Sequence, residues 1–508
     1  MKTPHRHRDS PELTRRRSHG ARRHHTFSFV STFSGTILPV PVPNPARRPQ
    51  WTVKDTPARN SENNQQPGTI RPARNARSGD RDGPCSDRVT GPVAVTRSGQ
   101  DHYGDAPGRQ PPGGQAAMIE PGRRWMGVAR SADTTSRAAG AAAAADAITG
   151  PDPKILIVFF AIKHDPVEVL AGVRDACPDV PLVGCSTHGE IAPGGPSDNT
   201  VVVAAIGGPG IEITTSVAEA VSGRQRDAGV EIAQCAVRSN PELPHKVLMI
   251  LTDGRIRDQE AILRGCYGVV GASIPLIGGA AGDGWRMAHT LVLGNDEVLT
   301  DSVVGVTIAS EAPLAVSVGH GWHKTGDPMI VTSAGNGRVY TLDDRPAMDV
   351  YLDRLGAPPE AYVERQAFMD FAMSRPLGVQ RRSGVEARNL STEIDLEGRS
   401  IGSGTAIDHG GLTWAMTGDE DSILDATETV CENVLAEMGD REPVGLLIFS
   451  CAALRAVLGD EGIKRENERI AKWARTAPYA GFYTYGEIAR IRGIDGFHNQ
   501  TLAVLAIS

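Results

Sequence analysis

The sequence predicts an α/β protein, with mixed sheets built from repeated strand–helix–strand–Gly-turn units and an antiparallel-rich C-terminal domain. Three observations carry this. Continuous apolar runs of strand length, such as "KILIVFF" (154–160), mark strands buried on both faces. Amphipathic helical stretches alternate with them. One phrase ending in Gly-Glu-Ile-Ala is written twice, as "LVGCSTHGEIAP" (182–193) and "YAGFYTYGEIAR" (479–490), nearly three hundred residues apart.

In chain order, the first unit runs from "KILIVFF" through an amphipathic helix, "DPVEVLAGVRDAC" (165–177), to "PLVGCS", the Gly-rich turn and a new strand, "NTVVVAAI" (199–206). The order recurs as "KVLMILTDG" (246–254), helix "DQEAILRGCYGVV" (258–270), "PLIGGAAGDGW" (275–285) and strand "HTLVL" (289–293). A third unit has "VGLLIFSC" (444–451), a helical region through Arg475, "YAGFYTYGEIARI" and the strand "QTLAVLAIS" (500–508). Alternation of this kind predicts mixed sheets with the repeated Gly turns at strand ends. Residues 311–410 read differently. Short strands surround "AGNGR" (334–338), a hairpin turn, and a helix is expected over about 345–355. The runs "VEARNLS" (385–391), "GRSIGSG" (398–404) and "GLTWAM" (411–416) then lead to a helix over about 421–438, so a boundary is placed near Glu311.

Charge divides the chain. Residues 1–125 hold 21 Lys+Arg against 10 Asp+Glu, whereas the rest of the chain holds 32 against 50. The leading segment is rich in Pro and Arg, with no apolar period long enough to offset chain entropy, which predicts a disordered basic extension. "TFSFVSTFSGTILPVPVP" (26–43) is a poor secretory signal, because Ser, Thr and Gly interrupt it and no small-residue cleavage site closes it. A plainer reading is that translation starts at Met118 or Met126. Residues 126–310 and 311–508 are then expected as two folded domains. Their acidic balance argues against nucleic acid as the partner of the folded part. No run of 18 apolar residues is present, so no membrane span is expected. Seven widely spaced cysteines without a C-x-x-C pair fit reduced thiols in a cytoplasm.

The repeated phrase supplies the candidate site. Gly at a strand end permits φ > 0 or close approach of a ligand, and neighbouring Thr and Glu offer a hydroxyl and a carboxylate. Two such turns facing one another across a cleft would bring together Gly184, Cys185, Thr187, Gly189 and Glu190 with Gly481, Tyr483, Thr484, Tyr485, Gly486 and Glu487. Asp283, in "GGAAGDGW", takes the matching place in the second unit, and Asn499, in "FHNQT", precedes the final strand. The plain alternative for Gly-Glu-Ile is a tight turn with a solvated Glu, and for Asn499 a local turn contact.

Ten ordered segments, "VPLVGCSTHGEIAP", "LTDG", "PLIGGAAGDGW", "GHGW", "LDDRPAMDVY", "PLGV", "GDEDSILDA", "LLIFSCAAL", "GFYTYGEI" and "HNQTL", resemble the FIST family of N-terminal and C-terminal sensory domains over roughly residues 128–508. The resemblance implies a cytoplasmic sensor of a small ligand such as an amino acid or similar metabolite. No cofactor is expected, although some members of the family resemble haem-based nitric-oxide sensors; His320 in "GHGWHK" is the candidate iron ligand in that case, and its plainer reading is a hydrogen-bonded loop histidine. No kinase, cyclase or chemoreceptor segment follows Ser508, so the expected partner is a separate signalling protein of one of those kinds. An enzyme is the less favoured reading. The chain has no nucleophile elbow, P-loop, H-E-x-x-H or dinucleotide fingerprint, and a thiol mechanism at Cys185 or Cys451, with His188 as base, needs an activated thiolate.

Overall fold

The computed structural model of the chain describes residues 122–381, 384–390, 393–403, 407–491 and 496–508. Nearly all of the basic extension, the 26–43 segment, Cys85 and the alternative start at Met118 lie outside these residues. Met126 lies within the first strand, next to the buried Trp125, whose indole Nε1 donates to Pro151 O at 2.7 Å.

The chain is built from three repeats of one pattern. The first comprises β1 (Trp125–Ser131), α1 (Ser136–Ala147), β2 (Pro153–Ala161), α2 (Pro166–Ala176), β3 (Leu182–Thr187), the hairpin β4 (Glu190–Ala192) and β5 (Gly195–Ser197), and β6 (Val201–Gly207). The second comprises β7 (Ile211–Ala218), α3 (Gln225–Arg238), β8 (His245–Thr252), α4 (Gln259–Val270), β9 (Leu276–Ala280), the hairpin β10 (Val292–Gly294) and β11 (Glu297–Leu299), and β12 (Val303–Ser310). The third opens with β13 (Leu314–Gly319) and, after an insertion, continues through α5 (Glu420–Ala436), β14 (Gly445–Cys451), α6 (Ala452–Ala474), β15 (Tyr479–Thr484), β16 (Glu487–Arg490), β17 (Phe497–His498) and β18 (Leu502–Ile507). Local signals set several boundaries. Asp165 accepts from the Val167 and Glu168 amides at the start of α2, which carries Pro166 in its first turn. Asp419 and Ser422 form a reciprocal capping box on α5.

Each repeat donates its hairpin to another repeat's sheet. The three six-stranded sheets run β1-β6-β2-β3-β10-β11, β7-β12-β8-β9-β16-β17 and β13-β18-β14-β15-β4-β5. Within each, the one parallel pair is β2/β3, β8/β9 or β14/β15, and the other pairs are antiparallel. The first repeat thus lends strands to the third, the third to the second, and the second to the first. This cyclic exchange binds the regions on either side of Glu311 together through main-chain ladders.

Burial on both faces accounts for the continuous apolar runs. Ile155, Ile157 and Phe159 on β2 point into a single core that also holds Met249 and Leu251 from β8 and Leu447 and Phe449 from β14. Alternate residues face outwards onto helix pairs: Leu156 and Val158 onto α1 and α2, Leu248 and Ile250 onto α3 and α4, Leu446 and Ile448 onto α5 and α6. Each fully buried Phe of the shared core contributes about 2–3 kcal/mol.

The insertion spans 323–417 and carries an antiparallel eight-stranded sheet with helices Ala347–Arg354 and Arg365–Met373. The expected hairpin at 334–338 joins its strands His323–Gly335 and Arg338–Leu342. This is the antiparallel part of the C-terminal region; the rest of that region is mixed sheet. One expected match is corrected. "HTLVL" supplies β10, the donated hairpin, whereas the counterpart of "NTVVVAAI" and "QTLAVLAIS" is β12. The cause is the longer loop, 281–291, between β9 and its hairpin.

Candidate functional site

The repeated phrase is the point at which a chain leaves its own sheet. Just after β3 and β15, and at the corresponding place after β9, one amide donates to a carbonyl of the next repeat: His188 N to Tyr483 O at 3.0 Å, Tyr485 N to Ala280 O at 3.1 Å, and Gly282 N to Ser186 O at 2.9 Å. Return bonds run from Tyr483 N to Gly189 O, Ala280 N to Gly486 O and Ser186 N to Leu291 O, each at 2.9 Å. The three turns therefore close a ring of six main-chain hydrogen bonds. Gly189 needs its φ of +126° here.

Three glycines expected to serve a φ > 0 turn or a ligand do something else. Gly481 is an extended residue within β15, and a Cβ there would lie 1.9 Å from Ile448 O on the adjoining parallel strand; Gly184 faces Val158 O at 2.1 Å in the same way. The close approach is by backbone, not by ligand. Gly486 likewise has no positive φ and packs beneath the Phe497 ring.

Both repeated acids are enclosed rather than facing a cleft. Glu190 is fully buried and accepts from Thr187 Oγ1 at 2.5 Å and, on its other oxygen, from Thr200 Oγ1 at 2.7 Å and Thr200 N at 3.1 Å. Glu487 is fully buried and accepts from Thr501 Oγ1 at 2.8 Å and Thr501 N at 3.2 Å. Burial pushes Glu190 up to about 7 and Glu487 up to about 8, against the lowering pull of those hydroxyls. Neither carboxylate lines any of the three cavities described below. Asp283 is not their counterpart. Glu190 pairs with Phe482 and Glu487 with Gly279, and in the same register Val292 pairs with Cys185. Asp283 instead organises the long loop, accepting from the amides of Met287, Ala288 and His289 and from Tyr485 Oη at 2.6 Å. Burial raises its pKa, but these four donors outweigh it and hold the carboxyl below its usual range. Asp253, at the end of β8, is a further buried acid of the second repeat. It accepts from Thr290 Oγ1 and from Asp301 N at 2.6 Å.

Beside the ring lies a cavity of about 370 Å³. Its floor is the end of β14 and β15, with Cys451, Thr484 and Tyr485, and one wall is the loop after β8, with Arg255, Arg257 and Gln259. Trp285, Asn336, Asn389 and Asn499 also line it. Ligands of α/β folds collect at such strand ends. Tyr485 is fixed on both sides, because its hydroxyl also accepts from Trp285 N at 2.7 Å and the two rings stack at 5.7 Å. Asn499 is only 8% exposed, and its Oδ1 has no hydrogen-bond partner among the described residues. An orphaned buried amide oxygen costs about 1–3 kcal/mol unless something donates to it. Thr484, Tyr485 and Asn499 thus line one cavity, together with Arg255 and Arg257, which were not anticipated.

The other candidates lie elsewhere. Thr187 and Gly189 line a second cavity. Tyr483 is buried under the Arg455 guanidinium and donates to Glu466 at 3.2 Å. Cys185 lies in the core, and burial pushes its thiol and that of Cys451 well up, so both stay protonated and poorly nucleophilic. The His188 ring packs against Trp285 at 4.6 Å. His320 Nε2 contacts Val385 O at 2.9 Å and Nδ1 accepts from Trp322 N at 3.3 Å, leaving neither nitrogen open for iron. The groove at His320 is bordered by Asp419, Asp421 and Asp425, which does not fit an apolar haem slot. Among the described residues all six cysteines are free, no cluster of His, Cys, Asp or Glu has metal-binding geometry, and no helix is long and apolar enough to cross a membrane.

The FIST N domain family matches residues 154–345, and the FIST C domain family matches residues 347–490. The chain belongs to the FIST family. FIST domains are sensory domains. The seam between the two matches, at Pro346, falls inside the insertion rather than at Glu311. Two Mycobacterium tuberculosis proteins described as uncharacterized, MT0656 of strain CDC 1551 and Rv0628c of strain H37Rv, are each 24% identical over 399 residues, 75% of this chain and 98% of theirs. The shared length takes in most of the three-repeat body.

Proposed function

We propose that this FIST protein is a cytoplasmic sensor that binds a small amino-acid-like metabolite in the cavity at the ends of β14 and β15. The orphaned Asn499 Oδ1 carries the reading, because it calls for a donor such as an ammonium or amide N–H at a site where Arg255 and Arg257 can meet a carboxylate. Recognition of an amino acid then rests on these groups and not on Glu190 or Glu487. Trp285 and Tyr485 give the apolar wall. The signal passes to a separate protein such as a histidine kinase, cyclase or chemoreceptor. The loop 284–289 is the candidate relay, since Asp283 and Tyr485 tie it to the cavity floor while Trp285 and Met287 reach the surface.

A thermal-shift panel of amino acids and related carboxylates tests this. A stabilising metabolite should lose its effect in Asn499→Ala and in Arg257→Gln, with each free variant melting close to the wild type. A metabolite that stabilises both variants as fully as the wild type would remove the cavity from consideration.

A further inference from the structure

The hairpin exchange builds the cavity twice. Around the ends of β2 and β3 lies a second cavity of about 450 Å³. Strand register equates its residues with those of the first. Ala161 pairs with Thr187 as Cys451 pairs with Thr484. Lys163 therefore corresponds to Ala453, His188 to Tyr485 and Asp198 to Asn499, and all six line their respective cavities. The facing wall matches as well. Arg257 stands four residues after Asp253 at the end of β8, and Arg455 four residues after Cys451 at the end of β14. Trp285 is a wall of both.

We propose that this second cavity is a separate ligand site, taking a small ligand through a carboxylate or phosphate group held by Lys163, Arg286 and Arg455. Its charges favour an anion. Asp198 is already paired with Arg455, which also donates to His188 O at 2.7 Å. Asp460 opens the helical segment that restarts after Gly459, whose φ is +63°, and the positive end of that segment offsets its charge. Lys163 and Arg286 have no acidic partner among the described residues. A second observation also points to a ligand. His188 is 9% exposed, and its Nδ1 is buried with no partner among the described residues. Burial, then the nearby Arg455, lowers its pKa to about 4, so at neutral pH it is an uncharged imidazole able to accept from or donate to a ligand.

The site differs in chemistry from the first, where an amide and a tyrosine occupy the places of Asp198 and His188. Titration calorimetry with succinate and with inorganic phosphate, at constant ionic strength, tests it. At least one anion should bind the full chain. Lys163→Met/Arg286→Met should weaken that binding tenfold or more without altering the melting temperature, because both side chains are exposed. Asn499→Ala should leave it unchanged. Preference for phosphate assigns a phosphate-bearing ligand, and preference for succinate a carboxylate. The proposal falls if neither anion binds, if the double variant binds as tightly as the wild type, or if Asn499→Ala alone abolishes binding, which would put the anion in the first cavity.

Discussion

Replacing Glu487 by Gln should change how stability depends on pH, not how ligand binds. Its carboxyl is fully enclosed, with one oxygen satisfied by Thr501 and the Cys451 thiol beside the group. Burial raises it from 4.5 to about 8, so the native state holds a proton that the unfolded chain releases near 4.5. The native state binds more protons across that window, and stability therefore falls as pH rises from about 4.5 to about 8. At 1.36 kcal/mol per pKa unit, the contribution lost between pH 5.5 and pH 8.5 is about 3 kcal/mol. Gln resembles the protonated acid and has nothing to release. Urea unfolding of the full chain should find the stability of Glu487→Gln relative to the wild type rising by about 3 kcal/mol between pH 5.5 and pH 8.5. Comparing the two proteins at each pH cancels the same trend from Glu190 and Glu466, which burial raises to about 7. A difference that does not vary with pH would refute the enclosed, protonated carboxyl.

Gly481→Ala forces a methyl to within 1.9 Å of Ile448 O and should cost about 2 kcal/mol or more through strand separation, read as a lower urea midpoint; a neutral result would mean that β14 and β15 are not so close. A fragment ending at Ser310 lacks β16 and β17 for its second sheet and β15 for its hairpin, so it should show no cooperative unfolding by circular dichroism, whereas a sharp transition would contradict the strand exchange.

Much of the local structure was legible in the sequence. Apolar runs located the central strands, and the Gly-Glu turns fell at strand ends, whereas Gly184 and Gly481 within the strands serve the close parallel pairing and not the turn. The exchange was not legible. β4 pairs with β15 across almost three hundred residues, and nothing in a three-residue strand such as "EIA" names its partner. This misplaced Asp283 as well, because residue type was matched where only register decides, and the loop 281–291 hides the shift. Glu after Gly reads as a solvated turn residue, so the burial of Glu190 and Glu487 could not be seen directly. A signal did exist, since a Thr immediately precedes the last strand in both repeats, in "NTVVV" and "QTLAV", and those hydroxyls are the ones that meet the carboxylates. Arg257 and Arg455 share a spacing from their strand ends that only the superposed repeats make apparent.

Hydrogen exchange of the full chain, with and without the metabolite that most stabilises it, tests ligand binding at the turn ring most directly. Protection should rise at residues 254–259, 284–288, 484–486 and 497–500, the walls of the first cavity and its loop. Protection confined to the groove at His320 and residues 419–425, or spread evenly over the three sheets, would contradict it.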